Sequence, residues 1–291
     1  MYEIVWQYDE VNPYADVKPP DANGAIRMLI EGNQTFARFF APHSIPGETT
    51  RHIVRVSSQD VGVSGKPGEA PAQEPFAAFI SCADARVPVE LIFGQQANDL
   101  FVVRVAGNVL GSECLGSLDY AVDHLRTVRL VGVLGHTGCG AVTAAVDAYL
   151  SPAGYLGVAA NFPLQAIVGS LMAPARGAAF ALSSVYGESV TGRPGYRQAL
   201  IETTVILNAA LAAAVLTHNF HESLSHRLQV AYGVYDLRNR SVGLPGPDGQ
   251  WQAGLFRPPT DEAGFEAFGR RLVESRMIHA FLESDPPPAG H

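Results

Sequence analysis

Cys82, His136 and Cys139 are the residues best suited to chemistry, because two thiols and an imidazole form a ligand set for zinc. Cys82 follows the apolar run Phe76–Ser81. His136 and Cys139, with two residues between them in GHTGCG, follow the apolar run Val128–Leu134. If both runs are strands of an open parallel sheet, their carboxyl ends lie side by side and the three side chains can meet. Three protein ligands leave a fourth tetrahedral position for water, the pattern of catalytic rather than structural zinc sites. Packing explains a lone buried cysteine, but it does not call for three metal-binding side chains at strand ends.

Asp84 and Arg86 stand two and four residues beyond Cys82 in CADAR. A guanidinium can grip a carboxylate in a two-pronged geometry, which keeps the carboxylate ionised and aimed. Such a carboxylate beside a metal accepts a hydrogen bond from water and turns a lone pair toward an electrophile. Cys114, in GSECLGS, has no Cys or His at a short ligand spacing and reads as a packing residue. The glycines of GHTGCGAV do not follow G-x-G-x-x-G, and no lysine stands where a phosphate loop needs one. They read instead as backbone that bends tightly around a metal.

The elements that must position these residues alternate. Phe76–Ser81, Leu100–Val105, Val128–Leu134 and Val230–Leu237 read as strands, and Val230–Leu237 reads as the last strand of the sheet. Between them, Leu118, Ala121, Val122 and Leu125 fall at helical spacing, and Ala141–Leu150 and Thr203–His218 read as helices. This alternation predicts an α/β fold with a mostly parallel central sheet flanked by helices. Asp21 is placed to cap a helix that carries Ile26, Leu29 and Ile30 on one face. Residues 1–20 read as an irregular N-terminal arm, 21–245 as the zinc domain with an insertion at about 151–200, and 246–291 as an extension with a helix and a disordered tail. A short strand at Ile53–Val56 interrupts an otherwise loop-like stretch.

Twenty Lys and Arg against twenty-eight Asp and Glu give a net charge of −8, with no basic run, which argues against nucleic acid and anionic membrane as partners. The start, MYEIVWQYDE, has no signal-like pattern, and three cysteines make no disulfide framework, so the expected location is cytoplasmic. The apolar run Val205–Leu216 is shorter than the ~20 residues that span a bilayer and predicts a buried helix. Apolar residues at 47% of the chain predict surface left for another subunit.

SCADARVPVELIFG, NDLFVVRVAGN, GSLDYAVDHL and LGHTGCGAV, in this order, resemble the consecutive motifs of β-carbonic anhydrases. LIEGNQTFARF and VYDLRNRSV are similar to the family's amino-terminal helix and its final strand and turn. The resemblance implies the family's α/β fold, with Cys82, His136 and Cys139 as zinc ligands and Asp84 and Arg86 as the catalytic pair. It implies that Gln73 helps bind substrate across a dimer interface, and that Phe101 and Tyr120 line the same pocket. Arg104 matches an arginine of an inhibitory bicarbonate site in some members, although Phe79 stands where those members carry Trp. Ala85 and Val105 replace a usual Ser and Asn. The implied activity is reversible hydration of carbon dioxide to bicarbonate and a proton by a homodimer or higher homo-oligomer, with His124 a candidate for moving the proton. The alternatives are hydrolysis of carbon disulfide or carbonyl sulfide at the same site, or a silent zinc-bound scaffold. Assays on both kinds of substrate separate them.

Overall fold

The computed structural model describes residues 2–7, 18–39, 50–57, 60–61, 68, 70–151, 153, 156, 161–221 and 227–284. Its centre is a six-stranded sheet in the order β4-β3-β5-β6-β7-β8. The strands are β3 (Ala77–Ser81), β4 (Leu100–Arg104), β5 (Leu130–His136), β6 (Gln229–Tyr235), β7 (Val242–Pro245) and β8 (Trp251–Ala253). β4, β3, β5 and β6 are parallel, while β7 and β8 continue the sheet antiparallel. Val230–Leu237 is therefore not the last strand. The two that follow have four and three residues, too short for a period-2 pattern to show in the sequence.

Alternation along β3 explains the layers. Ala78 and Ile80 join one buried cluster with residues of α3 (Ser112–His124), α4 (Gly140–Leu150), α6 (Met172–Tyr186) and α7 (Tyr196–Asn219). Ala77 and Phe79 face the other side, against α1 (Ala22–Phe39) and α2 (Val89–Ile92). Helices on both faces are what a parallel sheet of apolar strands requires. Asp21 caps α1 by accepting the Gly24 N–H at 2.7 Å. Asn33 of α1, 1% exposed, pins the turn after β6 by donating to the Arg240 carbonyl at 3.1 Å and accepting from the Val242 N–H at 2.8 Å.

Both ends of the chain differ from expectation, and the 151–200 insertion takes a definite form. Residues 2–7 are not irregular: β1 (Tyr2–Gln7) pairs in parallel with β2 (Thr50–Arg55) as a separate ribbon, and the rest of the arm up to residue 17 lies outside the described residues. The stretch 151–200 is largely helix where described, comprising α5 (Phe162–Ser170), α6 and the start of α7. The C-terminal segment carries two helices, α8 (Glu262–Val273) and α9 (Arg276–Glu283), separated where the Ser275 Oγ accepts the Ile278 N–H; the expected disordered tail at 285–291 lies outside the described residues.

The buried helix is also longer than its apolar run. α7 has 24 residues at a mean hydropathy of 1.9, and Phe162–Tyr186 has 25 at 1.3, so both are long and apolar enough to cross a membrane by length and composition. What marks α7 as a core helix is its packing, with 83% of its most apolar window buried, rather than its length.

Candidate metal centre and active site

Ser81 of β3 pairs in parallel with Leu134 of β5, so Cys82 and His136 leave neighbouring strands at the same sheet edge. Gly138 adopts φ +65°, a region open to glycine at little cost, and this turn brings Cys139 back at the start of α4. The ligand atoms of Cys82, His136 and Cys139 all lie within 4.8 Å of one another, and the three residues are 4%, 0% and 2% exposed. The two Sγ atoms are 3.9 Å apart, both thiols free. A tetrahedral ion with bonds of ~2.3 Å to sulfur sets its thiolates about 3.8 Å apart, so the spacing fits zinc.

The imidazole fits as well. His136 Nδ1 lies 3.0 Å from the Thr137 carbonyl, which can only accept, so Nδ1 carries the hydrogen and Nε2 presents its lone pair. That Nε2 is buried without a hydrogen-bond partner. An orphaned lone pair between two thiols is what a metal ligand looks like before the metal binds. Between the thiols, a hydrogen bond with Cys139 holds Cys82 toward thiolate, helped by the Gly107 N–H at 3.3 Å from its sulfur. The same contact, together with burial, pushes the Cys139 thiol up.

Asp84 stands over the trio, its Oδ2 3.8 Å from His136 Nε2. Arg86 grips it in the expected two-pronged form, Nε to Oδ1 at 2.9 Å and Nη2 to Oδ2 at 2.7 Å, and the Arg86 N–H adds a third bond to Oδ1 at 2.9 Å. The Arg86 side chain is the main reason that the carboxyl lies well below the usual range. Arg104, at the end of β4, donates to the carbonyls of Cys82 and Asp84 and so holds the loop between ligand and carboxylate. Phe79 is fully buried, its ring 5.2 Å from that of Phe93. Gly132 makes room for it: a Cβ there would lie 2.1 Å from the Phe79 ring.

Two residues of α7 complete the site. Asn208, 6% exposed, donates to the Gly107 carbonyl at 2.9 Å, which fixes the turn whose N–H meets Cys82. Glu202, 2% exposed, is flanked by the Gly138 backbone and by His136; burial raises its pKa to about 7. Its Oε1 accepts from Gln198 at 2.9 Å while Oε2 has no partner. Sequence reading passed over both, and the available signal was a polar residue inside an otherwise apolar helix.

The remaining candidates lie elsewhere. Gln73 is exposed before the start of β3, at the opposite end of that strand from Cys82. Phe101 is half-buried on β4, and Tyr120 is 49% exposed on α3. Among the described residues no hydrogen bond ties these three to the metal trio. Cys114 packs against the main core as expected, and His124 is exposed on α3 with its ring 5.0 Å from that of Tyr120.

Residues 77–168 match the family model for carbonic anhydrase. A carbonic anhydrase 2 from Mycobacterium tuberculosis is 40% identical over 142 residues, which cover 47% of this chain and 61% of that relative. A carbonic anhydrase from Mycolicibacterium smegmatis is 45% identical over 87 residues, 30% of this chain and 42% of that one. The match thus spans less than two thirds of these relatives. Solved structures with a similar course include the β-carbonic anhydrases of Aspergillus fumigatus (22% identity, 75% of this chain, 90% of that chain, TM-score 0.48) and Coccomyxa (19%, 77%, 87%, 0.47).

Proposed function

We propose that this chain, whose residues 77–168 match the carbonic anhydrase family model, is a β-carbonic anhydrase and catalyses the reversible hydration of carbon dioxide to bicarbonate and a proton. The observation that carries the reading is the ionised Asp84 carboxylate, gripped by Arg86 and aimed at the cluster of Cys82, His136 and Cys139. Zinc held by those three side chains would supply a Lewis acid that makes hydroxide available from water near neutral pH. An ionised carboxylate can only accept hydrogen bonds, so Asp84 receives the proton side of the attacking oxygen and leaves its lone pair facing carbon. Arg86 keeps Asp84 in that state and orientation. Arg104 and Asn208 hold the two turns that bear Cys82 and Gly107, which preserves the alignment on which attack depends.

Gln73 supports a homo-oligomer. The five residues of β3 span about 16 Å, so Gln73 and Cys82 sit at opposite ends of the strand. A Gln73 that binds substrate therefore serves the site of a second copy. The three free thiols suit a reducing compartment such as the cytoplasm.

Stopped-flow carbon dioxide hydration together with a metal count on the same sample tests the reading. Turnover with bound zinc is expected. Full zinc without turnover on carbon dioxide would overturn it in favour of a scaffold, or, if carbonyl sulfide or carbon disulfide is hydrolysed instead, in favour of the sulfur substrates.

A further inference from the structure

At the opposite end of the sheet from the metal trio lies a cavity of about 800 Å³ whose charged groups the proposed reaction does not use. The strand register builds it. Leu130 pairs with Gln229, and the Gln229 N–H donates to the Arg129 carbonyl at 3.1 Å, so Arg129 and Arg227 enter neighbouring strands side by side. The bridge between Tyr232 and Phe256 brings Arg257 to the same edge, where it donates to Gln229 Oε1 at 3.2 Å. Arg129, Arg227 and Arg257 line the cavity together with Gln229 and the hydroxyl residues Thr217 and Thr260.

These guanidiniums, and that of the adjoining Arg126, have no carboxylate partner among the described residues. Asp21, the carboxylate among the lining residues, is engaged in capping α1. Arg227 donates through Nη2 to the Val122 carbonyl at 2.7 Å, while its Nη1 is buried without a partner. Burial, then Arg126 and Arg129, hold the Arg227 guanidinium below its ordinary pKa, and Asp123 opposes them. A gathering of like charges with an open, desolvated donor is unfavourable in itself, and it runs against a chain of net charge −8. An anion in the cavity offsets the repulsion among the guanidiniums that line it.

We propose that this cavity binds a phosphorylated small molecule, its phosphate oxygens taken by Arg129, Arg227 and Arg257. Arg129 donates through Nε to the Pro20 carbonyl and through Nη1 to those of Arg126 and Val128, which fixes its guanidinium at the cavity and leaves Nη2 for a ligand, and several guanidiniums together favour a group with more than one charge. The volume suits a ligand of nucleotide size, with Thr217, Thr260 and Gln229 available to its uncharged polar atoms. The assignment does not depend on the reaction at the metal centre.

Titration calorimetry of the full chain with pyrophosphate, inorganic phosphate and citrate is the test. Pyrophosphate should bind once per chain, and more tightly than either of the others. Arg257→Gln, an exposed change that keeps the side chain polar, should weaken pyrophosphate about tenfold or more, while Arg197→Gln, on the exposed partner of Asp147, should leave it unchanged. Absence of binding at roughly 10 mM pyrophosphate, equal affinity of Arg257→Gln, an equal loss in Arg197→Gln, or citrate binding as tightly as pyrophosphate would each overturn the assignment.

Discussion

Asp84 and the two ligands of the GHTGCG turn separate the working centre from a merely metal-binding one. If Cys139 and His136 hold zinc, Cys139→Ala and His136→Ala should each lose most of the approximately one zinc per chain expected of the wild type. Full retention by both variants, measured by atomic absorption, would remove the assignment. Asp84→Asn makes a different prediction, because the amide keeps the shape but presents a donor where only acceptance is useful. Zinc content should stay normal and carbon dioxide hydration fall about a hundredfold or more. A zinc-replete Asp84→Asn with near wild-type turnover would take the carboxylate out of the mechanism. This level was legible in the sequence because each of these side chains sits within a few residues of a strand end, where residue type and chemistry coincide. The pairing of Asp84 with Arg86 required only the spacing of CADAR.

Helix α7 shows where legibility stops. Its residues are apolar nearly all round, so the sequence marks it as buried without saying which face meets the metal turns. Asn208 and Glu202 acquire their roles only from the packing of α7 on β5 and β6. β7 and β8 were lost for a related reason, since four and three residues cannot display a period. Glu202 yields a test at this scale. Its folded pKa of about 7 lies above the ordinary 4.5, so the native state holds a proton over that interval which the unfolded chain has released. Stability therefore falls as pH rises from about 4.5 to about 7, and the full penalty, on the order of 3 kcal/mol, persists above that. Glu202→Gln removes the titration. In the metal-free protein, where no cation offsets the carboxylate, the variant should melt higher than wild type at pH 8 and nearly with it at pH 4.5. Parallel melting curves at both pH values would show that the carboxyl is not buried as a charge.

For the whole molecule, the placement of Gln73 predicts that light scattering finds a dimer or larger assembly; a stable and fully active monomer would refute the shared site. The exposed Phe162 at 78% and Phe180 at 63% leave apolar surface for contacts of this kind. The candidate ligands lie deep. His136 is 0% exposed and both cysteines no more than 4%, and the turns over them are tied to β4 and α7 through Arg104 and Asn208. A chelator that meets a bound metal at the open fourth position still has to displace those buried side chains, so the rate of metal loss should rise with chelator concentration and then level off at the rate at which the turns open. Asn208→Ala should raise that plateau, and a rate that climbs without limit in the wild type would mean that the ligands are open to direct attack. A metal held there would be kinetically locked: how long it stays would be set by the motion of the backbone around it, separately from how tightly it binds.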